Sequence, residues 1–256
     1  MPLHVEVRGS GPPIVLLHGF TQTGRLWGSF GERLQGDYTL VALDLPGHAG
    51  SEAVRADLPT AAELVAEAVH ATIGKEPCVL LGYSLGARLG LHTLLGTDLS
   101  VRRVVLIGGT GGIDDAAERE RRRQTDEAMA AELENAGDIG VAAFLDRWLA
   151  GPLFARLPRS AAGRDERRRN CASGLASSLR LCGTGTQEPL WGRLQALTVP
   201  LLALAGSDDN RFGTHALRIA ACAPNAVASL VPGGGHAVHL AQPDHAWRLV
   251  DHWLRA

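Results

Sequence analysis

The chain has 256 residues, with 25 Lys or Arg against 27 Asp or Glu, for a formal net charge of −2. Such a balance gives no electrostatic case for binding nucleic acid, and no apolar run approaches the roughly 20 residues that a membrane-spanning helix needs. The four cysteines, Cys78, Cys171, Cys182 and Cys222, show no paired metal-ligand spacing, as expected of small core residues in a reducing compartment, and no metal is expected.

In chain order, residues 1–7 suggest a first strand without the basic-then-apolar pattern of a secretory signal, which points to the cytoplasm. Pro13-Ile14-Val15-Leu16-Leu17 predicts a buried strand running into His18-Gly19-Phe20. That loop is where a fold with an elbow serine places one oxyanion donor, here the Phe20 N–H, while His18 is expected to pack and hydrogen-bond beneath it. Thr39 to Leu43 predicts another strand, closed by the turn Asp44-Leu45-Pro46-Gly47-His48.

The next apolar run, Cys78-Val79-Leu80-Leu81, leads into Gly82-Tyr83-Ser84-Leu85-Gly86 and then a helical pattern. Strand, G-x-S-x-G and helix in that order describe a nucleophile elbow, with Ser84 lifted at a helix N-terminus and the Leu85 N–H as the second oxyanion donor. Its partners are sought in the chain order Ser, Asp, His. The strand at residues 199–205 ends in Gly206-Ser207-Asp208-Asp209, and the one at 228–231 ends in Pro232-Gly233-Gly234-Gly235-His236. Asp208 and Asp209 are both able to cap the following helix; Asp209 is the one expected to fix the imidazole of His236, which would take the Ser84 proton.

Strands alternating with helical patterns imply an α/β fold with a mostly parallel central sheet flanked by helices. Residues 1–109 and 193–256 are assigned to this core, and residues 110–192 to an inserted helical lid, because so long a connection is seldom plain. The lid holds two arginine clusters, Arg119, Arg121, Arg122 and Arg123, then Arg164, Arg167, Arg168 and Arg169. Helical neighbours point about 100° apart, so each cluster sends only one or two guanidinium groups to a pocket. Lys75 is the only lysine, so the abundance of arginine by itself carries no argument. Arg88 lies one helical turn beyond Ser84.

The elbow together with Trp148, Pro152-Leu153-Phe154, Asn170, residues 174–180, Gly183-Thr184-Gly185-Thr186-Gln187 and Leu190-Trp191 resembles the 2-succinyl-6-hydroxy-2,4-cyclohexadiene-1-carboxylate synthase family of menaquinone biosynthesis, an α/β-hydrolase-fold family. Ala87, Ala49 and Ile107 depart from its pattern, the last at a strand end where an acid is common. The resemblance implies a lyase that removes a ring proton and expels pyruvate without cofactor. It implies a small polycarboxylate substrate held by Arg88, Arg122 and Arg167 between Tyr83 and Trp148. A monomer or small homo-oligomer is expected. From the catalytic residues alone, an ester or carbon–carbon bond hydrolase, or a binding protein that retains the triad as scaffold, is the alternative.

Overall fold

The computed structural model describes residues 1–256. The core strands are β1 (Val5–Arg8), β2 (Pro13–Leu17), β3 (Thr39–Leu43), β4 (Cys78–Tyr83), β5 (Val101–Ile107), β6 (Leu201–Gly206) and β7 (Ala226–Val231). They form one seven-stranded sheet in the order β1-β3-β2-β4-β5-β6-β7, in which only β1 runs antiparallel to its neighbour. Central strands buried on both faces need apolar residues throughout, and β4 has them: Cys78 and Leu80 enter the core on one face, Val79, Leu81 and Tyr83 that on the other.

Helices α1 (Gly28–Asp37), α2 (Leu58–Ile73) and α3 (Leu85–Gly96) alternate with the first strands. The segment between β5 and β6 carries α4 (Ala116–Ala150), α5 (Arg164–Arg167) and α6 (Ala172–Cys182); α7 (Asn210–Cys222), α8 (Val238–Ala241) and α9 (Pro243–Arg255) follow. Asp115 and Asp57 cap α4 and α2 by accepting the N–H groups of Glu118 and Thr60. None of these helices is long and apolar enough to cross a membrane.

β2 connects outward to β3, whereas β4 lies on its other side, so the chain reverses direction across the sheet between β2 and β4. Open α/β sheets leave a crevice at such a point, outside the carboxyl ends of the strands. Ser84 follows β4 there, and Phe20 lies beyond the end of β2. The segment between β5 and β6 closes over this crevice with a small core of its own, in which Ala130, Leu133, Val141, Phe144 and Leu145 of α4 meet Leu175, Ala176 and Leu179 of α6. Gly137, at φ 60° and ψ −169°, breaks α4 so that its two halves both face α6.

Candidate active site

Ser84 sits at φ 52° and ψ −105°, a conformation that L-residues seldom adopt and that persists only when its surroundings enforce it. The enforcement is visible in the flanking glycines. A Cβ on Gly86 would stand 1.9 Å from the Leu17 carbonyl oxygen, and one on Gly82 would stand 2.4 Å from that of Gly86. The Ser84 N–H donates to the carbonyl of Ile107 at 2.8 Å, fastening the elbow to β5. Ile107 itself is fully buried in the core beneath, so this departure from the family pattern leaves the strand end without a side chain in the site.

The loop after β7 brings His236 Nε2 to 2.9 Å from Ser84 Oγ, and the loop after β6 brings Asp209 Oδ2 to 3.0 Å from His236 Nδ1. The other oxygen of Asp209 accepts the Phe212 N–H at 3.3 Å, which anchors the carboxylate to the start of α7. Asp208 faces elsewhere and pairs with Arg156 of the segment between β5 and β6 at 2.6 Å. His236 is 3% exposed, and the ring of Phe212 lies 4.2 Å from it between centroids. The imidazole therefore has one fixed orientation, with Nδ1–H directed at Asp209 and the Nε2 lone pair at the serine hydroxyl.

The Gly86 N–H is committed to the His18 carbonyl at 2.9 Å, whereas the amides of Phe20 and Leu85 find no acceptor in the protein. Both residues line the same cavity as Ser84. The Phe20 loop is held from below. Thr21, at φ 67°, donates its N–H to His48 Nε2 at 3.3 Å and accepts from Asn170 Nδ2 at 2.8 Å on its carbonyl and from Arg167 on its hydroxyl. His18 accepts the Leu45 N–H at 3.0 Å on Nε2 and donates from Nδ1 to the Gly19 carbonyl at 2.8 Å, the supporting part expected of it. Burial pushes its pKa down to about 4, so the ring stays neutral in that role.

A cavity of about 550 Å³ opens above the serine. Of the five residues expected to hold substrate, Arg88, Arg122 and Trp148 line it. Arg88 donates to the carbonyls of Cys182 at 2.7 Å and Gly183 at 3.4 Å and to Gln187 Oε1 at 3.3 Å; burial lowers its pKa to about 10, leaving it charged at neutral pH. Arg122 is held by Nε to Asp126 at 2.9 Å. The Trp148 ring meets Phe20 edge-on at 5.4 Å and lies parallel to Phe144 at 6.3 Å.

The other two are placed differently. Tyr83 precedes the serine on β4, so its side chain points into the sheet-side core, where its ring packs on His239 at 4.4 Å and His236 at 5.3 Å behind the reacting face. Arg167 is fully buried outside the cavity lining. It donates from Nε to the Ala162 carbonyl at 2.8 Å, and from Nη1 to the Phe20 carbonyl and Thr21 hydroxyl. The one-turn helix α5 turns Arg167 inward and leaves Arg164, Arg168 and Arg169 in surface ion pairs. Conversely, Arg211, Phe212 and Thr110 line the cavity without having been singled out from sequence. Arg211 and Phe212 stand directly after Asp209-Asn210, and that adjacency was the available signal.

An elbow serine, a following acid and histidine at strand ends, and a mostly parallel sheet of this order together define the α/β-hydrolase class. Residues 14–247 match the alpha/beta hydrolase family. The chain is 35% identical over 240 residues to the 2-succinyl-6-hydroxy-2,4-cyclohexadiene-1-carboxylate synthase of Serratia proteamaculans, covering 91% of this chain and 89% of that one. Its structure superposes on MenH from S. aureus with a TM-score of 0.91 at 27% identity, covering 98% of each chain. A thermophilic esterase from Thermogutta terrifontis, at TM-score 0.80 and 22% identity over 99% of this chain and 93% of that one, shares the fold. The chain belongs to the 2-succinyl-6-hydroxy-2,4-cyclohexadiene-1-carboxylate synthase family of α/β-hydrolase enzymes.

Proposed function

We propose that the protein is a carbon–oxygen lyase of menaquinone biosynthesis. It converts 2-succinyl-5-enolpyruvyl-6-hydroxy-3-cyclohexene-1-carboxylate into 2-succinyl-6-hydroxy-2,4-cyclohexadiene-1-carboxylate and pyruvate. The observation that carries this reading is the Ser84–His236–Asp209 relay, with a 2.9 Å contact between Ser84 Oγ and His236 Nε2, opening into a cavity whose walls present Arg88 and Arg122. A neutral ester needs no such cations; a substrate bearing several carboxylates does.

In this reaction the ring double bond between C3 and C4 is replaced by two, C2=C3 and C4=C5. The proton therefore leaves C2, beside the succinyl ketone, and the enolpyruvyl oxygen leaves C5. Ser84, its own proton drawn to His236, is the base for C2, and Asp209 steadies the imidazolium that results. Charge that spreads into the ketone is received by the free amides of Phe20 and Leu85; each such donor is worth about 10²–10³ in rate. The proton held on His236 passes to the departing enolpyruvate, so substrate and the two products balance without water or cofactor.

The test supplies the enolpyruvyl precursor, freshly made, and follows pyruvate release against the spontaneous rate. Release well above background, lost in Ser84→Ala with binding retained, is the expected result. A background-level rate would overturn the reading. The same relay and amides would also serve a hydrolase, and a stoichiometric burst of released alcohol from small activated esters, as the acyl group transfers to Ser84, would favour that instead.

A further inference from the structure

The cavity holds a third cation, and its circumstances differ from those of the other two. Arg88 commits its Nη1 and one Nη2 donor to Cys182, Gly183 and Gln187 and keeps the rest, and Arg122 is fastened to Asp126 by Nε alone. The guanidinium of Arg211 donates no hydrogen bond to the protein. Its nearest acid, Glu118, stands at 4.0 Å, beyond hydrogen-bond reach, and both side chains are about half exposed. Its position is equally distinctive. Arg211 lies in the first turn of α7, between Asp209, which holds His236, and Phe212, whose ring packs on His236. Arg88 and Arg122 come instead from α3 and α4.

We propose that Arg211 binds the carboxylate of the departing enolpyruvyl group. The inference rests on the lyase reading above and deepens it. When the C2–H and C5–O bonds break, the proton resides on His236 and must reach the leaving enolate, so the leaving group has to lie on the imidazole side of the cavity. Arg211 is the cavity-lining cation adjoining that side, and its guanidinium donors are uncommitted. The succinyl and ring carboxylates are left to Arg88 and Arg122 across the cavity. Three other charged or titratable groups lie near: Glu118, which competes for the guanidinium, Asp209, which is engaged by His236, and His215 one turn further along α7.

The experiment compares wild type with Arg211→Gln and Arg211→Lys, using pyruvate and 4-oxo-4-phenylbutanoate as competing ligands. The second compound has a ring and a succinyl ketone but no pyruvate carboxylate. Arg211→Gln is expected to lower kcat/KM by about 10- to 100-fold, the range for a lost charge-assisted hydrogen bond, and to weaken product inhibition by pyruvate about tenfold. Inhibition by 4-oxo-4-phenylbutanoate should stay as in wild type, and the lysine variant should recover part of both losses. Unchanged pyruvate inhibition in Arg211→Gln, or equal weakening of both inhibitors, would overturn the assignment. Titration of 13C-labelled pyruvate by NMR is independent of turnover. If wild type fails to release pyruvate from the precursor, the lyase reading falls. Binding of labelled pyruvate to wild type but not to Arg211→Gln would still uphold a carboxylate site, and equal binding would remove it.

Discussion

Arg122 and Arg167 come from similar sequence clusters, and the structure separates them sharply enough to be tested side by side. Arg167→Met removes donors from the Ala162 and Phe20 carbonyls and from the Thr21 hydroxyl, each loss worth about 1–3 kcal/mol when the acceptor stays buried. Against this, burial lowers the Arg167 pKa from its ordinary 12.5 to about 10, a native-state penalty on the cation on the order of 3 kcal/mol that the methionine relieves. Three such losses come to about 3–9 kcal/mol, so the relief leaves a net destabilisation of about 0–6 kcal/mol, and a melting curve of the variant at assay temperature establishes the folded fraction on which its rates are read. The larger consequence falls on catalysis. Thr21 keeps its left-handed backbone through bonds received from Arg167 and Asn170 and one donated to His48, and Phe20 precedes it. Loosening that loop misplaces the Phe20 amide. Complete loss of one such donor costs about 10²–10³ in rate, so partial displacement should cost about 10- to 100-fold.

The assay pairs pyruvate release with the rate at which a neutral fluorophosphonate labels Ser84, a reaction that needs the relay and the amides but offers no carboxylate. Arg167→Met should slow both by similar factors. Arg122→Ala should slow only pyruvate release, by about 1.5–3 kcal/mol in kcat/KM, and leave labelling unchanged. Normal labelling in Arg167→Met with impaired pyruvate release would make Arg167 a substrate clamp and refute the supporting role argued from its contacts.

Asp209→Asn should lose several orders of magnitude in kcat because the amide favours the wrong imidazole tautomer, while Asp208→Asn, which only frees Arg156, should retain most activity; the reverse ranking would show that the wrong acid has been assigned. Burial drives His18, His48 and His239 down to about 4, 3 and 3, so below the unfolded value near 6.5 the unfolded chain binds protons that the native chain does not. Stability is then complete above about pH 6.5 and falls by about 1.4 kcal/mol per pH unit for each ring as pH drops toward 4; urea midpoints that stay flat from about pH 7 to 5 would contradict this. Ala49 sits at φ 37°, so Ala49→Gly should stabilise by about 0.5–1 kcal/mol after allowing for the freer unfolded chain, and a lowered melting temperature would show the site to be unstrained.

The parts of the site that were legible in the sequence are those in which backbone geometry dictates residue type. Gly82 and Gly86 are glycine because neighbouring carbonyls occupy the space of a Cβ, and Ser84, Asp209 and His236 each follow an apolar strand whose end the sheet aligns with the others. Arg88 was readable for a related reason, since α3 begins at a fixed residue and its phase follows. The segment between β5 and β6 offers no such reference. Its helices are started and stopped by Asp115, Gly137 and Gly163, and the left-handed glycine within α4 resets the rotation of everything after it.

Which arginine turns inward therefore depends on tertiary contacts that spacing does not encode. Arg122 faces the cavity because the buried Asp126, one turn on, draws it to that side, whereas Arg123 is taken by the exposed Glu120. Arg167 is buried because the Phe20 carbonyl and Thr21 hydroxyl of a loop some 150 residues away are there to receive it; the contact with Thr21 spans 146 positions. Helical phase can nominate a cluster, but the choice within it is made by acceptors on another element. Arg211 escapes this limit, because it stands two residues after Asp209 in the first turn of α7 and its nearness to His236 is carried by the chain itself.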